Sequence, residues 1–426
     1  KIDFLPGIEL WVMRDPGIDL ATACAGVAGG LLVEDEGDNG VGNFMARVLP
    51  KATRDLDSAA LSLAAERLGM WISAQSGRNS LRLRGAFLND NWREALPLFA
   101  EVLTRPAFDP VNVEEARREM LAEIAARDED PDALAVENAN RLLYPGHPYR
   151  LTPLGSAANV SRFTAEDLAA HYRRFMHPGS MVIAVAGNID PGAVRDALAG
   201  VLKDWKTDSA VVAKPAPPPA GPASPALVVE ERDFSQTRIV FGFQGTSFDS
   251  NDAAPLDVLL GYLSGSGGPL FRKLRDEQSL AYSVFGWAGS GVGAGDVKFY
   301  IGTDPAKAAV AFAGMRKIIE DAAANGIAEK DVDDARRYLL GRHKFSKQGI
   351  GDQAESLLSN LLNRAGKDFD GKYLAAIEAV TPDDVRRVAK RFLDFDKAVY
   401  SLVGPAASLD AVRGTLRKVR AADGAP

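Results

Sequence analysis

The sequence predicts an α+β protein of two homologous domains, each a mostly antiparallel sheet with helices packed on it. Three observations lead there. The stretch KPAPPPAGPASP, residues 214 to 225, divides the 426-residue chain nearly in half, and its proline and alanine favour an extended spacer over helix or strand. On either side of it, TAEDLAAHYRRFMHPGSMVIAVAGNID from Thr164 aligns without a gap on TPDDVRRVAKRFLDFDKAVYSLVGPAA from Thr381, the mark of an internal repeat. Within each half, helix-period segments are interspersed with short alternating strands, which is the pattern of helices laid on one face of a sheet. The domains are therefore set at residues 1–213 and 226–426.

Along the chain, FLPGIELWVMRD reads as strand, turn and strand from the outset, which leaves no room for a signal peptide after Lys1. Because Lys1 stands where a methionine would, a targeting segment or a larger part of the polypeptide is expected upstream. ATACAGVAGG makes Cys24 a small buried residue, and with no second cysteine neither an internal disulfide nor a cysteine-rich metal site can form. NSLRLRGAFL is a strand and NWREALPLFAEVLTRP a helix. Asp130 followed by Pro131 starts a new helix after the acid-rich break RDEDPD, which is a solvated turn without the twelve-residue EF-hand pattern. Thr164 then caps a helix with acids in its first turn, Phe175 lies near its end, and a β-branched strand follows that Gly187 closes. In the second half QTRIVFGFQ and GDVKFYIGT are strands and PAKAAVAFAGMRKIIEDAAANG a helix. DDARRYLL from Asp333 matches EEARREML from Glu114, and Thr381, Phe392 and Gly404 repeat the cap, the aromatic and the glycine.

Composition removes several function classes. At 46% hydrophobic and 25% charged residues the chain is an ordinary soluble globular protein, in periplasm or cytoplasm alike. A net charge of −7, with bases scattered among acids, lacks the footprint of a nucleic-acid binder. No apolar run is long enough to predict a transmembrane helix. No G-x-S-x-G elbow supports a serine hydrolase, and SGSGG before Pro269 lacks the Lys-Ser/Thr ending of a phosphate-binding loop. The four histidines form no ligand face. His171 and His177 would point to different sides of a helix, His147 sits in the proline-rich loop YPGHPYR, and His343 lies near a helix end.

Three segments resemble one peptidase family. GVGNFMARVLPKAT, residues 40 to 53, resembles the segment in which inverzincin metallopeptidases carry H-x-x-E-H, two zinc-binding imidazoles and a glutamate base. Asn43, Ala46 and Arg47 stand at those three positions. Further on, Glu123 falls in the register of the family's ligand glutamate, but one oxygen ligand without its imidazoles cannot hold zinc, so an Arg47-paired or ordinary helix carboxylate is expected there. LRDEQSLAYSV resembles the segment of pitrilysin, insulin-degrading enzyme and the processing-peptidase subunits in which an arginine and a tyrosine reach toward the zinc site of another half; here these are Arg275 and Tyr282.

The resemblance covers nearly the whole chain. It implies one half of a clamshell that has no cofactor of its own and is inactive alone. Its partner would be a zinc-bearing homologous half, either a separate subunit or an upstream part of the same polypeptide, and its substrate a peptide. Arg275 and Tyr282 would then steady the oxyanion, with Gly267 and Gly268 letting substrate backbone approach closely. The resemblance also permits a non-catalytic assembly or peptide-binding scaffold of the same fold.

Overall fold

The computed structural model describes residues 1–205, 219–265, 267–289, 291–293 and 295–422; residues 214–218 of the expected spacer lie outside the described residues. Among the described residues ten strands form two five-stranded sheets. The first contains β1 (Ile8–Arg14), β2 (Leu20–Ala28), β3 (Trp71–Ser76), β4 (Ser80–Leu88) and β5 (Met181–Gly187), in the order β1-β5-β2-β4-β3. The second contains β6 (Ala226–Glu231), β7 (Thr237–Gln244), β8 (Ser283–Gly289), β9 (Asp296–Thr303) and β10 (Val399–Gly404), in the order β6-β10-β7-β9-β8. The two orders are the same strand for strand. Each sheet has one parallel pair, β1 with β5 and β6 with β10, and is otherwise antiparallel. Of the strand expected ahead of Pro6, only a single bridge from Ile2 to Leu10 forms.

The repeat has a local physical cause. Thr164 accepts from the Asp167 N–H at 3.2 Å while Asp167 accepts from the Thr164 N–H at 2.7 Å, and Thr381 with Asp384 does the same at 3.2 and 3.1 Å. These reciprocal caps start the helices Ala165–Phe175 and Pro382–Phe392, each of which leads into the strand next to the parallel edge. The second matched pair does one job twice. Arg117, on helix Pro110–Asp128, donates to the carbonyls of Val160 and Phe163, just before the Thr164 cap. Arg336, on helix Glu329–Phe345, donates to those of Glu378 and Val380, just before Thr381, at 2.8 and 3.1 Å.

Two compact units result, one from Lys1–Ala125, Leu151–Ala216 and Lys344–Phe369, the other from Ala126–Arg150, Pro217–His343 and Asp370–Pro426. Phe44, Phe87 and Phe99 lie in the core of the first. Phe241, Phe312 and Tyr400 pack ring against ring in the second, with centroids 4.8 to 5.7 Å apart. A division at residues 213 and 226 contains no exchange of segments, yet each unit includes a helix from the other half of the sequence. Helix Ile350–Leu362 sets Ile350, Ala354, Leu358 and Leu362 on Cys24, Val182, Ala184 and Ala186, the second face of the first sheet. Helix Pro131–Leu143 lies on β7 and β10. Helices thus cover both faces of the first sheet, not one. The spacing of an apolar stripe says that a helix face is covered but not which sheet covers it. Burial under this helix pushes the Cys24 thiol up to about 12. No helix among the described residues is long and apolar enough to cross a membrane.

Candidate functional site

Asn43, Ala46 and Arg47 lie on helix Val41–Val48. The i, i+4 spacing puts residues 43 and 47 on one face, and their side chains are bonded to each other: Arg47 Nε donates to Asn43 Oδ1 at 2.8 Å. The same guanidinium grips Glu123 with both terminal nitrogens, at 2.7 and 2.6 Å. These bonds hold the Glu123 carboxyl below the ordinary carboxylate range. Where the resemblance places two imidazoles and a ligand carboxylate, an amide, a guanidinium and a carboxylate are joined, so the positive charge facing Glu123 comes from the chain itself. These residues do not fit zinc, since neither an arginine nor an amide bonded to it offers the lone pair of a neutral imidazole. Among the described residues no three His, Cys, Asp or Glu side chains are gathered as a metal site.

A buried polar cluster at the start of this helix was not legible in the sequence. The Glu34 carboxylate accepts from the N–H groups of Gly40 and Gly42 at 2.9 and 3.1 Å and from the Asn39 amide at 3.0 Å, which anchors the first turn. Gly42 is required there, because a Cβ would come within 2.7 Å of both Glu34 Oε1 and Ser76 Oγ and 3.3 Å of His171 Nε2. Burial pushes Glu34 up to about 7, against the pull of its donors, and burial with the Arg174 charge drives His171 down to about 4. The two act on stability with opposite signs. A carboxyl raised from 4.5 contributes stability at low pH that is lost as pH rises through 7. An imidazole lowered from 6.5 contributes at high pH and loses it as pH falls through 4. Glu34→Gln removes the first and keeps the second. Relative to wild type, the variant is expected to lose stability between pH 7 and 4.5, on the order of 3 kcal/mol, in thermal melts across that range. A constant difference between the two proteins would contradict the assignment.

Arg275 sits on a wide, π-type helical turn, Phe271–Glu277, a geometry that often marks functional positions. Its guanidinium lies 4.6 Å from the centre of the Phe271 ring. The turn ends at Ser279, left-handed at φ 50°, and is closed by a bond from the Leu280 N–H to the Leu274 carbonyl at 2.7 Å. The Tyr282 N–H then joins the Gly302 carbonyl at 3.1 Å and β8 begins. Arg275 and Tyr282 thereby line one open cleft of about 460 Å³, together with Ser235, Gln236 and Asp304. Tyr282 is 76% exposed, so it is not a core residue. Among the described residues neither the Arg275 guanidinium nor the Tyr282 hydroxyl has a hydrogen-bond or ion-pair partner.

Gly267 and Gly268 differ in their constraints. A Cβ at Gly268 would meet the carbonyl oxygens of Tyr262, Leu263 and Gly265 at 2.3, 2.8 and 2.9 Å, whereas one at Gly267 meets nothing within 4 Å. Gly268 thus permits the chain to turn tightly against the end of helix Ala253–Ser264 before the Arg275 turn. Gly268→Ala is expected to destabilise the protein by about 1–3 kcal/mol and Gly267→Ala by almost nothing, measured by denaturant unfolding. Equal effects would contradict this local reading.

The histidines stay apart. His147 stacks edge-on with Tyr149 at 4.5 Å, His177 is fully buried and accepts from the Gly179 N–H at 3.1 Å, and His343 lies 6.0 Å from the Tyr373 ring. Asp130 caps helix Pro131–Leu143 with Pro131 in its first turn, as the sequence indicates.

Two family models match the chain. Residues 12–155 match Insulinase (Peptidase family M16), and residues 162–339 match Peptidase M16 inactive domain. The chain belongs to peptidase family M16. The first match spans the Asn43–Arg47 helix and Glu123, the second Arg275 and Tyr282. Among curated relatives, a Mycobacterium tuberculosis protein named an uncharacterized zinc protease is 28% identical over 382 residues, 87% of this M16 chain and 86% of the relative. A Helicobacter pylori protein named a non-peptidase homolog is 20% identical over 88% of this chain and 87% of its own length. The fold of the M16 chain matches a crystal structure of a peptidase M16 inactive domain from Pseudomonas fluorescens with TM-score 0.88 and 22% identity, covering 95% of this chain and 98% of the other. Complex III from Candida albicans includes a chain that matches with TM-score 0.80 and 16% identity over 96% of this chain and 97% of its own.

Proposed function

We propose that this M16 chain is the zinc-free half of a metallopeptidase, supplying Arg275 and Tyr282 to a zinc-bearing homologous half that cleaves peptides. The observation that carries the reading is a contrast between two sites. The motif helix is closed on itself by the Arg47–Glu123 pair, while Arg275 and Tyr282 stand open and unpartnered on one cleft. A guanidinium and a phenol are hydrogen-bond donors suited to a peptide carbonyl oxygen as it takes on negative charge. Donors already fixed by a helical turn and a strand start need no reorganisation when that charge appears, which is the source of their catalytic value. The match of residues 162–339 to a domain described as inactive, and the name of the Helicobacter relative, support a chain without peptidase activity of its own.

Arg275→Ala is the test of the arginine. Steady-state hydrolysis by the reconstituted pair is expected to fall about ten- to a hundredfold in kcat/KM, with KM also raised, because a guanidinium can hold a substrate carbonyl before the transition state. Full activity in the variant would return Arg275 to an ordinary surface role. The other reading, a non-catalytic assembly or peptide-binding scaffold of the M16 fold, draws on the same non-peptidase name and would then be preferred.

A further inference from the structure

The second face of the first sheet is only partly covered. Helix Ile350–Leu362 lies over β5 and β2, and β4 and β3 continue the same face beyond it. In register across those strands, Leu20 is opposite Leu88, Trp71 opposite Ala86, Ser73 opposite Arg84 and Gln75 opposite Arg82. Residues alternate between faces, so Leu20, Leu88, Trp71, Arg84 and Arg82 share this one. Leu20, Leu88 and Trp71 are 51%, 47% and 53% exposed. Isolated exposed apolar residues need no explanation, but three together on one sheet face do.

Beside this apolar strip two cations have one carboxylate between them. The nearest carboxylate to Arg84 is Glu355, at 3.6 Å, and the Arg84 Nε is buried without an acceptor. The guanidinium also lies 5.6 Å from the Trp71 ring centre. Among the described residues the Arg82 side chain makes one hydrogen bond, from Nε to Ser80 Oγ at 2.7 Å, and Glu355 is the acid whose field reaches it. Two guanidiniums therefore share one carboxylate. Burial lowers the Arg82 pKa from its ordinary value, as expected of a cation short of both water and partner.

We propose that this strip selects peptide segments carrying a carboxylate side chain beside a large apolar one. The carboxylate meets the forked donors of Arg82 and Arg84, and the apolar side chain covers Leu20, Leu88 and Trp71. Arginine suits the first task because its planar fork matches both carboxylate oxygens. The inference deepens the peptide-binding reading above and rests on it.

Three fluorescein-labelled dodecapeptides, identical in a Gly/Ser/Ala background except for a central Leu-Glu, Leu-Gln or Leu-Lys, are titrated into the full chain by anisotropy. Leu-Glu is expected to bind about tenfold tighter than Leu-Gln, with Leu-Lys weakest, and added salt to narrow the gap. Arg82→Gln/Arg84→Gln is expected to erase the difference at an unchanged thermal midpoint. Should the double variant fail to fold, Arg82→Gln alone is expected to halve the free-energy preference. Trp71→Ala is expected to weaken all three peptides alike. Equal binding of Leu-Glu and Leu-Gln, or a preference that survives in the arginine variants, overturns the site. Hydrolysis of a Glu-free peptide by the reconstituted pair is read in parallel. Hydrolysis without a glutamate preference overturns this inference alone, whereas neither binding nor hydrolysis overturns the peptide reading with it.

Discussion

Tyr282→Phe is expected to leave assembly with a zinc-bearing half intact and to lower its peptide turnover about ten- to a thousandfold, the range for removing one oxyanion donor. The ring is retained, so the cleft keeps its shape; only the hydroxyl is lost, and it has no other partner to miss it. Tyr282 is 76% exposed and its hydroxyl is bonded to nothing among the described residues, so the substitution should not change stability. The effect should fall on kcat with little change in KM, since a donor aimed at developing charge acts chiefly in the transition state. Size-exclusion chromatography checks assembly and steady-state hydrolysis checks turnover. Unaltered turnover would remove Tyr282 from the reaction.

The second large effect concerns metal. In Asn43→His/Arg47→His the two imidazoles stand at i and i+4 on helix Val41–Val48, and the Glu123 oxygens that lie 2.6 and 2.7 Å from the Arg47 nitrogens lose their cation. Two imidazoles and a carboxylate are a sufficient protein ligand set for zinc. The double variant is expected to bind about one chelator-removable zinc per chain, against none for wild type and for Arg47→His alone. Metal analysis after gel filtration measures it. A folded double variant without zinc would mean that Glu123 cannot turn toward positions 43 and 47, and the correspondence with the ligand positions would fail.

Much of this was legible because the signals are local. The Thr164/Asp167 and Thr381/Asp384 caps span only four residues each, and the strands that follow are short β-branched runs. The pairing of Arg47 with Glu123 could be anticipated because arginine replaces a ligand opposite a carboxylate that was kept. Other features depend on contacts between distant residues. That helices Pro131–Leu143 and Ile350–Leu362 join the unit of the opposite half follows from which sheet face was left open, and the helix sequences carry no record of it. The Glu34, Ser76 and His171 cluster unites residues from a loop, a strand and a helix around one missing methyl group at Gly42. By residue type alone a tyrosine at the start of an apolar strand suits a core, and it is the 76% exposure of Tyr282 that excludes this.

The most direct test of a zinc-free half is chelator-sensitive peptide hydrolysis by the purified chain, measured alone and after mixing with a zinc-bearing M16 half. Hydrolysis is expected only in the mixture, abolished by chelator and reduced by Tyr282→Phe in this chain. Chelator-sensitive hydrolysis by the chain alone would contradict the account, because Asn43, Ala46 and Arg47 would then have to be serving a metal they are not built to hold.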